Sequence, residues 1–220
     1  MCYTEELTIN ERFPERIGKQ TSSRIKVILN AFKAPTYYAS SNKDKAGQIK
    51  HPGGWSDGAK TYARKLAIER AGYIEDGGAS TFSTRWGKEW EDTSRQSYAE
   101  VVGHKISPET FVLYNDFIGS TPDGLIGRDG IFETKCLQID AHLVAFETPD
   151  HDHVLQCQHQ LFGTKRRYAH LVYFHPHAPN KKMMRKVYVI EPDLELHGRM
   201  LRASEMFEVL VRKYYELYKD

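Results

Sequence analysis

Thr121-Pro122-Asp123-Gly124, followed ten residues beyond the aspartate by Glu133-Thr134-Lys135, decides how this sequence is read. Pro122 and Gly124 set Asp123 in a turn, so that its carboxylate projects from the end of a hairpin. Ile131 to Leu137 alternates with a period of two, which puts Glu133 and Lys135 on one strand face and Thr134 on the other. Two carboxylates and an ammonium therefore meet at one edge of a twisted sheet. Hard oxygen ligands of this kind suit Mg2+ or Mn2+, which neutralises a phosphate and lowers the pKa of a bound water. Lys135 can orient that water and stabilise developing charge, and beside a metal it should lose its proton more readily. The set suits hydrolysis of a phosphodiester. An E-x-K triplet alone arises about once by chance in a chain of this length, so the weight rests on the flanking proline and glycine and the short spacing.

Helices precede this region and strands surround it. Ile25, Ile28, Leu29 and Phe32 recur at helix spacing behind the cap-like run Thr21-Ser22-Ser23, predicting a short helix that ends before Pro35. Residues 40–58 predict a long loop. A helix is expected from about Ala59 to Arg70, broken at Gly72 and again at Gly77-Gly78. The next carries Trp86 and Trp90 one turn apart and runs to about Val102. Phe111 to Tyr114, Phe117 to Gly119 and Ile131 to Leu137 read as strands, and Val154 to Phe162 as a helix. Leu171 to Phe174 and Val187 to Ile190 are further strands. Leu194 to Tyr218 is a long helix with Leu196, Met200, Phe207, Leu210, Tyr214 and Tyr218 roughly on one stripe. This order predicts an α/β or α+β fold, with helices around a central mixed sheet.

The 220 residues suffice for one sizeable domain. No stretch approaches the roughly 20 apolar residues of a membrane span, and Met1 to Arg16 lacks the apolar segment of a signal peptide. Cys2, Cys136 and Cys157 are odd in number and scattered, against a disulfide framework or a zinc site. His151-Asp152-His153 and His175-Pro176-His177 lack convincingly spaced third and fourth ligands. A serine nucleophile elbow, a P-loop and a dinucleotide fingerprint are missing. The net charge is only +2, yet no Asp or Glu occurs from His153 to Ile190, a window holding Lys165, Arg166, Arg167, Lys181, Lys182, Arg185 and Lys186. Such a stretch is either a solvated basic face or a surface that meets a phosphate backbone.

In order along the chain stand Trp86-Gly87-Lys88-Glu89-Trp90-Glu91, Thr121-Pro122-Asp123-Gly124, Glu133-Thr134-Lys135 and Gln156-Cys157-Gln158. This succession, W-G-x-x-x-E, [S/T]-P-D-G, E-x-K and Q-x-Q, resembles the phage lambda exonuclease and YqaJ-like viral recombinase family of PD-(D/E)XK nucleases. The resemblance covers about Arg16 to Ile190. It implies a restriction-endonuclease-like core with Asp123, Glu133 and the Thr134 carbonyl as metal ligands and Glu91 as an outer acid. Lys135 would position the attacking water, Gln156 would help hold it, Mg2+ would be the cofactor, and Mn2+ would also support activity. Arg16-Ile17-Gly18 with Thr21-Ser22-Ser23 looks like the family's R-x-G-x-x-T-x-S segment, which grips a 5′-phosphate. Independently, Thr21 to Ser23 open the predicted helix, where free N–H groups bind anions, and Arg16 can add a bidentate contact. Gln158, Lys165, Arg166 and Arg167 are expected as weaker DNA contacts. One departure is that Arg12 occupies the register of the family's aromatic wedge, with Phe13 one residue off.

The resemblance implies a 5′-to-3′ exonuclease acting on double-stranded DNA ends and leaving 3′ tails for recombination by strand annealing. A ring-shaped homotrimer, a single-strand annealing protein as partner and the cytoplasm of a bacterial host follow from the same resemblance. One nuclease domain over 1–220 is expected, with a phosphate-binding part at about 10–75, a catalytic core at about 80–192 and a terminal helix at about 193–219. An endonuclease of the same fold is the first alternative, against which the Arg16, Thr21 and Ser23 pocket argues. A DNA-binding assembly protein with a decayed centre is the second, against which the intact acids and lysine argue.

Overall fold

The computed structural model describes residues 9–74 and 81–219. Cys2, the Gly77-Gly78 pair and most of the segment Met1 to Arg16 ahead of residue 9 lie outside the described residues. In chain order the elements begin with α1 (Ile9–Arg12), two 3-10 turns (Pro14–Arg16 and Ser22–Arg24) and α2 (Ile25–Leu29). Four short strands follow: β1 (Phe32–Lys33), β2 (Thr36–Tyr37), β3 (Ile49–His51) and β4 (Gly54–Trp55). Then come α3 (Asp57–Arg70), α4 (Phe82–Val102), β5 (Val112–Leu113), β6 (Gly119–Ser120), β7 (Gly124–Ile126) and β8 (Gly130–Cys136). The chain continues through α5 (Ile139–Glu147), α6 (His151–Thr164), β9 (Tyr168–Phe174), β10 (Arg185–Ile190) and α7 (Leu194–Tyr218).

The main sheet has the order β10-β9-β8-β7. Only β8 and β9 run parallel; β7 and β10 pair antiparallel at the two edges. This is the mixed sheet flanked by helices that the sequence predicts. Alternation along β8 sorts its two faces. Phe132 turns to α4, where it stacks on Tyr98 at 5.6 Å between centroids, within a core of Ile106, Ile126 and Val172. Ile131 turns the other way, into a core with Cys157 and Leu161 of α6 and Leu171 and Tyr173 of β9. A third core joins α2 and α3 to α7 through Ile25, Ile28, Leu66, Met200, Phe207 and Val211, with Leu155 of α6 beneath.

Side-chain caps start the long helices: Ser56 accepts from the Ala59 N–H, Asp150 from Asp152 and Asp193 from Leu196. Three features differ from the sequence expectation. The helix predicted to reach Phe32 ends at Leu29, because Pro35 favours extended backbone before it and Phe32 pairs with Trp55 across β1 and β4. The expected loop over 40–58 contains the exposed three-residue β3 and the half-buried two-residue β4, with no apolar alternation to announce them. Helix α5 was not foreseen, since Ile139, Leu143 and Val144 stay exposed and blur any stripe.

Candidate functional site

The antiparallel pairing of β7 with β8 stops at Gly124 opposite Phe132, and Asp123 stands one residue past it. Its Oδ2 accepts the Thr134 N–H at 2.8 Å. The N–H and C=O of one strand residue point to the same side, so the Thr134 carbonyl turns toward Asp123 as well. Gly124 is needed beside it: a Cβ there would stand 2.6 Å from the Ser107 carbonyl oxygen and 2.7 Å from Ile106 Cγ2. The Thr134 side chain goes the other way, its hydroxyl 2.6 Å from Ser94 Oγ on α4 and donating to the Val172 carbonyl.

Glu133 is fully buried. Its Oε1 accepts from Lys135 Nζ and Gln156 Nε2, each at 2.5 Å, and its Oε2 from Gln160 Nε2 at 2.6 Å. Burial, then Glu133 and Glu91, push the Asp123 carboxyl well above its usual range, with Lys135 opposing. Glu91, reaching in from α4, is raised to about 7 by burial, Glu109 and Glu133. Burial acts to lower the Lys135 ammonium, but Glu133 and Asp123 together outweigh it and raise it. These two carboxylates favour the charged form of Lys135, and a bound cation, which would offset them, acts in the opposite direction.

The donor chemistry fits a divalent cation. Asp123, Glu133 and the Thr134 carbonyl are hard oxygens, and a buried Asp123 carboxyl pushed up by Glu133 and Glu91 is relieved by positive charge. Among the described residues no three His, Cys, Asp or Glu side chains gather as a ligand group, so the set would be two carboxylates and a main-chain carbonyl.

The Arg16–Ser23 segment comes to the same place. Gly18 has φ +69, and a Cβ on it would meet Arg70 Cγ at 2.5 Å. Its N–H donates to Glu69 and its carbonyl accepts from Arg70 Nε, both at 2.9 Å. Ser22–Arg24 form a 3-10 turn ahead of the five-residue α2, rather than the first turn of a longer helix. Arg16 Nε and Thr21 Oγ1 are buried and have no partner among the described residues, and Ser22 Oγ lies 3.1 Å from Nδ1 of the buried His159. Arg16, Thr21, Ser22 and Ser23 wall one side of a cavity of about 160 Å³, and Asp123, Glu133, Lys135, Gln156, Glu109 and Thr121 wall the other.

The weaker DNA contacts fall elsewhere. Gln158 is a correction: it is buried, donates to the Glu191 carbonyl, and accepts from the Asp193 N–H and from His197 Nε2–H, tying α6 to the β10–α7 connection and to α7. Arg166 also departs from expectation, because its guanidinium donates to the Gly127 and Gly130 carbonyls and staples the β7–β8 turn. That turn lies five residues along β8 from Lys135, about 16 Å at strand rise. Lys165 sits over the Tyr114 and Phe162 rings at 4.7 Å, and Arg167 stays exposed, 3.7 Å from Asp129. Arg12 forms an ion pair with Glu109. Gln160 and Glu109 belong to the site and were missed. The i, i+4 spacing of Gln156 and Gln160 on α6 was the signal for the first; no local signal marks the second.

The sequence profile of the YqaJ-like viral recombinase domain matches residues 13–167, well over half the chain. No curated protein sequence matches. Among solved structures, the alkaline exonuclease LHK-Exo from Laribacter hongkongensis is 23% identical, with 96% of both chains covered and a TM-score of 0.73. Its complex with dAMP gives 22% identity, 94% of each chain and a TM-score of 0.74. A phage-related exonuclease from Haemophilus somnus 129PT is 20% identical over 90% of this chain and 94% of its own, with a TM-score of 0.63. At these identities the likeness establishes a shared fold across nearly the whole chain. The chain belongs to the YqaJ-like viral recombinase family.

Proposed function

We propose that this chain is a metal-dependent 5′-to-3′ exonuclease on double-stranded DNA, which leaves 3′ single-stranded tails for recombination by annealing. The observation that carries the reading is the shared cavity: Arg16, Thr21 and Ser23 face Asp123, Glu133, Lys135 and Gln156 across one space. A buried guanidinium nitrogen and a buried hydroxyl without partners are what a terminal phosphate satisfies. The scissile bond then lies next to the acids and the lysine, one nucleotide from the end.

Asp123, Glu133 and the Thr134 carbonyl would hold Mg2+, with Mn2+ as a substitute, and the ion would supply charge neutralisation and a water of lowered pKa. Gln156 and Gln160 fix the Glu133 carboxylate, leaving its orientation unchanged as substrate enters. Lys135, beside Glu133, would position the attacking water and stabilise the negative charge that develops on the phosphate. Glu91 stands at the rim as the outer acid, titrating near neutrality. Lys165 and Arg167 remain as outlying phosphate contacts.

The reading includes a single nuclease unit, with a phosphate-binding part at about 10–75, a catalytic core at about 80–192 and the terminal helix. It also includes a homotrimeric ring around DNA, an annealing protein that takes the 3′ tail, and the cytoplasm of a bacterial host. Among the described residues no helix is long and apolar enough to cross a membrane. Digestion of linear duplex with Mg2+, comparing 5′-phosphorylated with 5′-hydroxyl ends, tests the reading. Loss of the phosphorylated strand should be at least about tenfold faster, and Lys135→Ala should abolish it. Equal cutting of both ends and of closed circles would make the protein an endonuclease.

A further inference from the structure

A second cavity, of about 260 Å³, is lined in part by the same acid and lysine. One wall is α4, through Ser83, Thr84, Gly87, Lys88 and Glu91; the other is Asp123 with residues 134–137 of β8 and its end. Asp123 and Lys135 line both this cavity and the one that holds Arg16 and Thr21. The reactive groups therefore stand between two spaces. A strand has one direction, so if its terminal phosphate lies in the first space and its first internal phosphate at the acids, the next nucleotides run into the second.

The α4 wall is built for such a neighbour. Helix periodicity puts Ser83, Gly87 and Glu91 on one stripe, with Thr84 and Lys88 beside it. Glycine inside a helix is unfavourable by about 0.5–1 kcal/mol against alanine. Packing does not require it here, because a Cβ on Gly87 would meet no atom within 4 Å. What the glycine preserves is open space along the groove. Lys88 is exposed, and among the described residues it forms no ion pair, so its charge is available to a ligand.

We propose that this groove holds the DNA strand on the 3′ side of the bond to be cut, with Lys88 gripping the backbone phosphate that follows the scissile one and Gly87 leaving room for the chain. The proposal rests on the exonuclease reading and deepens it.

A double-mutant cycle between protein and substrate tests it. Wild type and Lys88→Ala are compared, for the first cut only, on a 5′-phosphorylated linear duplex. One duplex is unmodified; the other carries neutral methylphosphonates at the two linkages that follow the scissile one. Neutralising the linkages should raise KM about tenfold in wild type, and Lys88→Ala should do the same on the unmodified duplex. The two together should be no worse than either, and Lys88→Arg should restore most of the loss. Multiplying effects, or no effect of Lys88→Ala, would overturn the assignment. Gly87→Leu should keep or raise the melting temperature yet lower kcat/KM on duplex at least tenfold; full activity would also overturn it. A wild type that degrades no linear duplex with Mg2+ or Mn2+ would instead remove the exonuclease reading, and the groove with it.

Discussion

A fully buried carboxyl group needs donors, and Glu133 has three: Lys135, Gln156 and Gln160. Gln160→Ala removes one of them. It should destabilise the protein by about 2 kcal/mol in denaturant melts and slow cleavage about tenfold, with KM little changed. His159 carries a second prediction. Burial, and then the nearby His197, lower its pKa to about 4, so the folded protein refuses a proton that the unfolded chain takes up near 6.5. The stability difference is absent above pH 6.5 and grows as pH falls toward 4, where the unfolded state binds more protons. Unfolding free energy should therefore drop by on the order of 3 kcal/mol across that window, and less steeply in His159→Asn. These residues also mark what could be read from sequence. The face shared by Glu133 and Lys135 was legible because strand alternation is strict. The roles on α6 were not, because Gln156-Cys157-Gln158 looks like a pair, whereas a period of 3.6 puts Gln160 beside Gln156 and turns Gln158 to α7.

Elements hold the Arg16–Ser23 turn, the proposed phosphate site, as firmly as its own residues do. Consecutive residues at the end of α3 fix Gly18: Glu69 takes its N–H and Arg70 gives to its carbonyl. Arg70 also forms a fork with Glu208 of α7, at 2.7 and 3.0 Å, and Gln20 donates to the same carboxylate at 3.2 Å. Gly18→Ala adds a left-handed strain of about 1–2 kcal/mol and pushes Arg70 aside. It should lower the melting temperature and shrink the rate advantage of phosphorylated over hydroxyl ends. Arg70→Met leaves Glu208, only 6% exposed, with weaker partners and should cost about 3–5 kcal/mol in urea melts. The R-x-G signature was visible in the sequence, but its supports were not, since Arg70 and Glu208 lie 138 residues apart. The hairpins of β1 to β4 escaped notice for a different reason: strands of two or three residues, exposed but for the half-buried β4, leave no hydrophobic pattern to detect.

Across the whole molecule, three cores share two walls. β8 separates the first from the second, and α6 carries Leu155 from the second into the third. Phe207 of α7, fully buried and stacked on Tyr62 at 5.5 Å, is central to the third core. Phe207→Ala should destabilise by about 3–5 kcal/mol, measured by thermal unfolding. The long stripe of α7 made its burial plain in the sequence; its docking on α2 and α3 depended on topology that no local pattern encodes. That docking has a consequence in time. Arg70 waits for Glu208, and at about 5–20 residues per second the ribosome needs roughly 7–30 s to make the 138 residues between them. Throughout that interval the Arg16–Ser23 turn has no anchor on α7, so on the proposed reading a nascent chain is a poor reader of DNA ends until α7 has been synthesised and has docked.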